Sequence, residues 1–467
     1  MSALQWCGSG YRFDKKGWVY LHAEGGAFER GHQHGFLLKP ELERIFRNLK
    51  YLTFWNTGKH WSFFVEAAEA LMSPFLPTEL ADEMKGIADG AQQAGLDISW
   101  QDILTWNGYE ELTDYWWPTK AQELRYAPVY PCRRDHCSAF LAHGPATEGG
   151  HIVMAHNSWD NFETGQFSNL IYDLEPSKGN HIFMQSAPGW VDSFADFFVT
   201  SAGIMGTETT IGGFSLYREG EVPEFVRVRQ AMQYTDNLED FVQCMKKQNN
   251  GGYANAWLLA DINRDVIMRF ELGLEYSHVE TNPSLEGPGS GPGYFVGFNA
   301  PLDPRIRNLE CSNTGFADVR RHQGSRQVRL KELMREHHSR IDSEAAKEIL
   351  ADHLDVYKKQ RGYPVDQWIN PCSRTVDGHY ELDDRAYMSD PSRPLPFQPR
   401  GTVDGKVMTS EQAKQLSFEA RWGNSSGRGF SAEAFLEKHP QWSYLDGYLF
   451  DRPSQEWTFF REDLKKF

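Results

Sequence analysis

Residues 137–144 read CSAFLAHG, and residues 149–162 read GGHIVMAHNSWDNF. Small and apolar side chains fill both runs and turn-forming residues bound them, so the pair predicts two neighbouring β-strands. The first opens on Cys137; the second carries His156, Asn157, Ser158 and Trp159 at its end. A thiolate is a strong nucleophile, but an unperturbed thiol has a pKa of about 8.5 and is mostly protonated at neutral pH. It needs a base. His156 is one candidate. The other is the α-amine that Cys137 would own if the chain were cut between His136 and Cys137, an amine that can take the thiol proton itself. Adjacent strands of one sheet would bring Cys137 and His156 side by side. Taken singly, Cys137 reads first as a small buried hydrophobe, and His156 and Trp159 as satisfied core residues.

Working outward, the first residues lead into a short strand, GWVYLHAEG (17–25), and the stretch to about residue 120 is helical by periodicity. ERGHQHGFLLKPELERIFRNLKYL reads as one helix with Pro40 early; TELADEMKGIADGAQQAGL reads as another with Thr78 as N-cap; Ser99 caps a third. Beyond Cys137 come short β-like runs divided by Gly, Pro and Asn, among them FSNLIYDLEP, HIFMQSAPGW, DFFVTSAGIMGTETTIGG and FSLY. A helical stretch, PEFVRVRQAMQYTDNLEDFVQCMKKQ, precedes a hairpin through NAWLLADINRDVIMRFELG; GPGYFVGFNAP adds a strand, and two helices follow in SRQVRLKELMREHH and SEAAKEILADHL. Residues 284–293 and the Pro-rich 390–405 read as irregular connections. Strand blocks alternating with helix blocks predict a layered α+β fold.

The chain has 467 residues, 40% hydrophobic and 24% charged, with a net charge of −16. That composition builds an ample core, and the acidity argues against nucleic-acid or anionic-membrane partners. A basic substrate or a neutral amphiphile fits better. Aromatic residues reach 14%, including 15 Trp, enough for large apolar walls. The six cysteines show no CxxC pair and are too sparse for a disulfide scaffold. No apolar run spans a bilayer, and the first residues lack the apolar stretch of a secretion signal. The expectation is a soluble protein, cytoplasmic as written, or secreted or lysosome-like if a signal has been removed. The sequon Asn424-Ser425-Ser426 is weak evidence for secretion.

Several motifs, in order, carry a resemblance. FERGHQHG (28–35) and EMKGIADGAQQAGLDISWQDILTWNGYEEL (83–112) precede CSAF; AHNSW, SAGIMGTETTIGG (201–213), GFNAP (297–301) and GTVDGKV (401–407) follow it. Together they resemble the phospholipase B-like proteins and the penicillin acyltransferase-type autoproteolytic hydrolases, both N-terminal-nucleophile families. Ser158 stands where the family's His-Asn-Thr-Trp strand has Thr. The resemblance implies a four-layer αββα sandwich, with residues 1–136 as a helical N-terminal segment, cleaved but still associated, and residues 137–467 as the catalytic domain. It implies Cys137 as nucleophile and, after cleavage, terminal amine; His156 and Trp159 lining the site; Thr210 holding the amine or the oxyanion; Asn299 as oxyanion donor; and Arg326, in GSRQVR, as the loosest match.

The function expected is that of an autoprocessed cysteine hydrolase cleaving acyl bonds, carboxylic ester or linear amide, in a small-molecule lipid or N-acyl amide, with no cofactor and no metal. Whether it forms a homo-oligomer is left open. An acyltransferase using an amine acceptor would need the same residues. A metal-dependent hydrolase would draw on His22, His32 and His34, or on Cys132, His136 and Cys137; but His32 and His34 share a face only in a strand, their stretch reads as helix, and no zinc motif occurs. A non-catalytic binding protein on the same fold is the third reading. No phosphate-binding glycine motif stands in a strand–helix context.

Overall fold

The computed structural model describes residues 2–126, 137–312, 314–379 and 399–462. In chain order its strands are β1 (Gln5–Cys7), β2 (Gly10–Lys15), β3 (Trp18–Gly25), β4 (Ser138–Ala142), β5 (Val153–Asn161), β6 (Leu170–Pro176), β7 (Ile182–Ser186), β8 (Phe197–Thr200), β9 (Ile204–Thr210), β10 (Asn255–Asp261), β11 (Val266–Leu272), β12 (Ser277–Thr281), β13 (Ser290–Gly291), β14 (Tyr294–Gly297), β15 (Arg400–Thr409), β16 (Ser417–Trp422) and β17 (Thr458–Arg461). Among the described residues they build two sheets. One has ten strands in the order β1-β2-β3-β6-β7-β8-β9-β10-β11-β12; the other has seven, β13-β14-β4-β5-β15-β16-β17. The chain is therefore a mixed α+β protein, as its strand and helix blocks predict.

The near-continuous apolar runs reflect strands covered on both faces. Phe183, Phe197 and Leu258 of the larger sheet share a buried cluster with Leu141, Met154 and Phe418 of the smaller one. Phe183 and Phe418 meet with ring centroids 5.0 Å apart. On its other face the larger sheet packs Tyr172, Met184 and Trp257 against Val228 and Met232 of the helix Glu224–Tyr234 and Phe241 of the helix Leu238–Lys246. The smaller sheet packs Phe140, Ala155 and Val407 against Leu330 and Leu333 of the helix His322–Glu336 and Ile349 of the helix Ser343–Leu350. β3 lies parallel to β6, so residues ahead of Cys137 are hydrogen-bonded into a sheet completed by residues behind it.

The β10–β11 hairpin and the Ser99 cap are present, the latter as a capping box with Asp102. Other details differ from the sequence reading. The long first helix is two, Ala27–Leu37 and Lys39–Thr57, broken at Leu38. Pro40 lacks the N–H that a helix interior requires, but an N-terminal turn tolerates it. Thr78 is inside its helix; Pro77 occupies the cap position and no side chain caps. Residues 214–217 form no strand, and residues 400–405 belong to β15 rather than to a connection. Asn424 is 2% exposed and donates to the Asp377 carbonyl at 2.5 Å, so the sequon is buried.

The glycines of the two N-terminal motifs have a packing reason. Ideal Cβ atoms on Gly31 and Gly35 would lie 2.1 and 1.9 Å from the carbonyl oxygens of Glu83 and Ile87, and those on Gly86 and Gly90 would lie 2.2 and 2.1 Å from those of Phe28 and His32. The helices Ala27–Leu37 and Thr78–Gln93 thus touch backbone to backbone. No described helix is long and apolar enough to cross a membrane.

Candidate active site

Cys137 stands immediately ahead of β4, 3% exposed, with a backbone φ of 95°. β4 pairs antiparallel with β5, Ala139 opposite His156 and Ser138 opposite Asn157. Side chains alternate along a strand, so this register puts His156 on the face of Ala139, toward the space between the sheets. The expected pairing of thiol and imidazole is present, and a third group joins it. Ligating atoms of Cys137, His156 and Glu208 all lie within 4.8 Å of one another, and all three residues are buried. Glu208 comes from β9, in the opposite sheet. Thiol, imidazole and carboxylate are also donors that suit a divalent metal such as zinc.

Burial and the nearby Glu208 charge push the Cys137 thiol well above its ordinary value, while the Trp159 backbone N–H and Lys406 pull weakly the other way. Burial, and then Lys406, push the His156 imidazole well below its ordinary value. The Glu208 backbone lies close enough to favour a protonated ring slightly, yet neither ring nitrogen has a partner in hydrogen-bond geometry. In the unbroken chain the pair therefore rests as neutral thiol and neutral imidazole.

Arg326 is a hub. It is fully buried and donates to the Cys137 carbonyl, to Ser138 Oγ at 3.2 Å and to Asn299 Oδ1 at 2.8 Å. Its guanidinium lies 4.5 Å from the centre of the Trp159 ring. Trp159 faces this arginine; its contribution at the thiol is its backbone N–H. Asn299 has a φ of 64° and donates from Nδ2 to the Thr210 carbonyl at 2.9 Å. An amide nitrogen carries two hydrogens, and Thr210 takes one. Thr210 Oγ1 donates to the Tyr253 hydroxyl at 3.4 Å. The structure thus links Cys137, Trp159, Arg326, Asn299 and Thr210 in one network and sets His156 against the thiol. His136 and Cys132 lie outside the described residues. His32 pairs with Asp89 at 2.8 Å, whereas His34 Nε2 accepts the Gly189 N–H at 2.7 Å. Those two histidines face different partners, as a helix requires.

Sequence reasoning missed three charged residues inside motifs it had noticed. Glu208 opens the ETT run. Asp404 and Lys406 lie in GTVDGKV. Lys406 Nζ, fully buried, donates to Asp404 Oδ1 at 2.6 Å, to Ser158 Oγ at 2.5 Å and to Gln185 Oε1. Gln185 Nε2 closes the ring by donating to Asp404 Oδ2 at 2.7 Å. Lys406 lies opposite His156 and Asp404 opposite Ser158 in the β5–β15 register. The signal was a strand-like run holding two opposite charges two residues apart, hence on one face.

A buried thiol at a strand head, faced by an imidazole and a carboxylate across two sheets, marks this as a candidate cysteine active site. Comparison with known proteins gives its relationship. A model of the Phospholipase B family matches residues 77–278. A phospholipase B from Crotalus adamanteus is 27% identical over 348 residues, covering 69% of this chain and 58% of that protein. Phospholipase B-like 1 of Rattus norvegicus is 24% identical over 215 residues, covering 41% and 36%. An uncharacterized protein of Archaeoglobus fulgidus is 27% identical over 260 residues, covering 52% and 41%. The chain is a relative of the phospholipase B and phospholipase B-like proteins, and it spans less than two thirds of the length of these relatives.

Proposed function

We propose that this protein is an autoprocessed cysteine hydrolase of acyl bonds, built on the four-layer αββα plan of the N-terminal-nucleophile families. The convergence of Cys137, His156 and Glu208, with Arg326 on the Cys137 carbonyl, is the observation that carries the reading. The relatives' names point to lipid acyl esters, and the same chemistry serves linear amides.

The electrostatics make the reactivity of the mature thiol depend on processing. With the thiol pushed up and the imidazole pushed down, the intact chain has no effective base beside the sulfur near neutrality. A terminal amine, with a pKa of about 8, supplies one. The positive φ of Cys137 is a conformation costing about 1–3 kcal/mol, at the N–Cα bond next to the peptide bond to be cut. In the first step Cys137 Sγ attacks the His136 carbonyl carbon, the peptide C–N bond breaks, and the nitrogen gains a proton. Water then hydrolyses the thioester, leaving a carboxylate on His136 and a free amine and thiol on Cys137. The two pieces, 1–136 and 137–467, stay together because β3 remains paired with β6. The mature thiol repeats the chemistry on substrate: it attacks the acyl carbon, the alcohol or amine leaves, and water releases the acid. Asn299 and a backbone N–H are the oxyanion donors in this reading, and Thr210 and Arg326 hold Asn299 in place.

Intact-mass measurement tests the first step: fragments beginning at Cys137 are expected, and Cys137→Ala abolishes them. A fully active, uncut chain would overturn autoprocessing and leave His156 as the base. For the second step, Cys137→Ala removes acyl-ester hydrolysis and labelling by a covalent thiol probe; retained hydrolysis refutes the nucleophile.

A further inference from the structure

The wall beside Cys137 is acidic. The cleft that reaches the thiol is lined by Glu110, Asp160, Glu208, Phe194 and Tyr253. Asp192, Asp196 and Glu224 lie next to it as electrostatic neighbours of Glu208 and of one another. All six carboxylates are in residues at most 9% exposed. Asp192 Oδ1, Asp196 Oδ1 and Glu224 Oε1 have no hydrogen-bond partner, nor do the ring nitrogens of His156, which sits against Glu208. The described cations nearby are engaged elsewhere. Lys406 is held by Asp404, Ser158 and Gln185; Arg227 by the Met245 carbonyl and Asn250; Arg229 by Glu83. Buried carboxylates short of counter-charge are unfavourable. Glu208 has the Asn255 amide 2.7 Å from Oε2 and the Tyr253 hydroxyl at 3.4 Å, yet burial followed by mutual repulsion pushes Asp196, Glu208 and Glu224 toward their neutral forms. A cation entering the cleft would relieve that frustration.

Spacing narrows the cation. The thiol and the Glu208 carboxylate are within 4.8 Å, so the attacked carbonyl and the ammonium must be close neighbours in the substrate. In an α-aminoacyl group the nitrogen lies about 2.5 Å from the carbonyl carbon. A near-attack sulfur contact of about 3 Å and a charge-assisted hydrogen bond of about 2.8 Å close a four-atom path compatible with that separation. We propose that the site selects acyl groups carrying a free α-ammonium, that is, aminoacyl amides and esters, with Glu208 and His156 accepting the ammonium hydrogens. This rests on the acyl-hydrolase reading and specifies its substrate. Cys137 forms the aminoacyl thioester as the amine or alcohol leaves with a proton, and water returns the free amino acid and the thiol.

The test compares alanine 4-nitroanilide with isobutyric acid 4-nitroanilide, in which a methyl replaces the ammonium at nearly constant shape. On the processed wild-type protein near pH 7, kcat/KM should favour the alanyl compound by about 10-fold or more, the contribution of a hydrogen bond to a charged group. Glu208→Gln should shrink that ratio, whatever it does to the absolute rates. Equal turnover of the two anilides, or preference for isobutyryl, overturns the proposal and leaves the acyl-hydrolase reading standing. A Glu208→Gln protein in which both rates fall and the ratio holds also overturns it, because Glu208 would then serve the Cys137 amine. If neither anilide is hydrolysed, calorimetry with alaninamide and isobutyramide decides. Selective binding of alaninamide keeps the ammonium seat and turns doubt onto the hydrolase reading; binding of neither, or equal binding of both, overturns the seat. If Glu208→Gln fails to fold, the wild-type comparison alone decides.

Discussion

Replacing Lys406 with methionine keeps an unbranched side chain one atom shorter and removes its charge. Both side chains of the Lys406–Asp404 pair are fully buried, so the substitution strands Asp404 without a counter-ion. Breaking a buried pair from one side costs about 3–5 kcal/mol, against a typical total stability of about 5–15 kcal/mol. Ser158 and Gln185 also lose a donor, which places the expected cost in the upper half of that range. Lys406→Met/Asp404→Leu removes both charges and should recover most of the loss, because only Gln185 and Ser158 are then left to re-pair. Denaturant midpoints of the wild type, both single variants and the double variant complete the cycle. The same lysine acts on the site. It opposes burial at the Cys137 thiol and adds to burial at the His156 imidazole. Without it the thiol ionises at still higher pH, and the imidazole protonates more readily. The pH midpoint of Cys137 alkylation should therefore move up in Lys406→Met, a readout that a purely structural loss would not move. A single variant costing less than about 1 kcal/mol, an unrescued double variant, or an alkylation midpoint that stays put would refute the reasoning.

Three further outcomes are expected. Gly35→Ala places a methyl on the Ile87 carbonyl, so it should destabilise by about 1–3 kcal/mol, reversing the gain that Ala normally brings to a helix; a raised unfolding midpoint would contradict the packing. Burial alone would lower the His181 imidazole, but its bond to Asp173 and the nearby Glu462 raise it above its ordinary value. The stability it adds is then fully present below about pH 6.5 and is lost as pH rises through the raised folded value, so the midpoint difference between wild type and His181→Gln should shrink across that window; a pH-independent difference counts against the pairing. Asn299→Ala, if Asn299 is an oxyanion donor, should lower kcat by about 10²–10³ with little change in KM, measured beside an unfolding midpoint, since loss of the Thr210 and Arg326 bonds alone would lower stability and spare turnover per folded molecule.

How much of this was legible in the sequence depends on where polar groups sit. Cys137 and His156 could be paired from local pattern alone, because two adjacent apolar strands leave few ways to place them. The β10–β11 hairpin and the Ser99 cap were legible for the same reason: each is decided within a few residues. Glu208, Asp404 and Lys406 were not. Pattern reading assigns charges to solvent; Asp404 and Lys406 are buried because they answer each other on one strand and Gln185 and Ser158 on strands remote in sequence, and Glu208 faces the thiol from the opposite sheet. The error at residues 400–405 has this origin: charges at 404 and 406 broke the apolar pattern of a strand whose one face is a buried ion pair. Arg326 was the loosest match, since a lone arginine near a helix start carries no local signature. Its place emerges only when the helix His322–Glu336 packs on the smaller sheet and brings the guanidinium to the Cys137 carbonyl. The residues hidden from sequence are those whose burial is offset by long-range partners. Glu208 differs from Asp404 in that no cation pairs with it among the described residues; its donors are the Tyr253 hydroxyl, at 3.4 Å, and the Asn255 amide, which in its donating orientation lies 2.7 Å from Oε2. Asp404 is thereby matched by a counter-charge within the fold, whereas Glu208 has hydrogen-bond donors alone, and the Cys137 amine or the ammonium of a substrate would supply the positive charge it lacks.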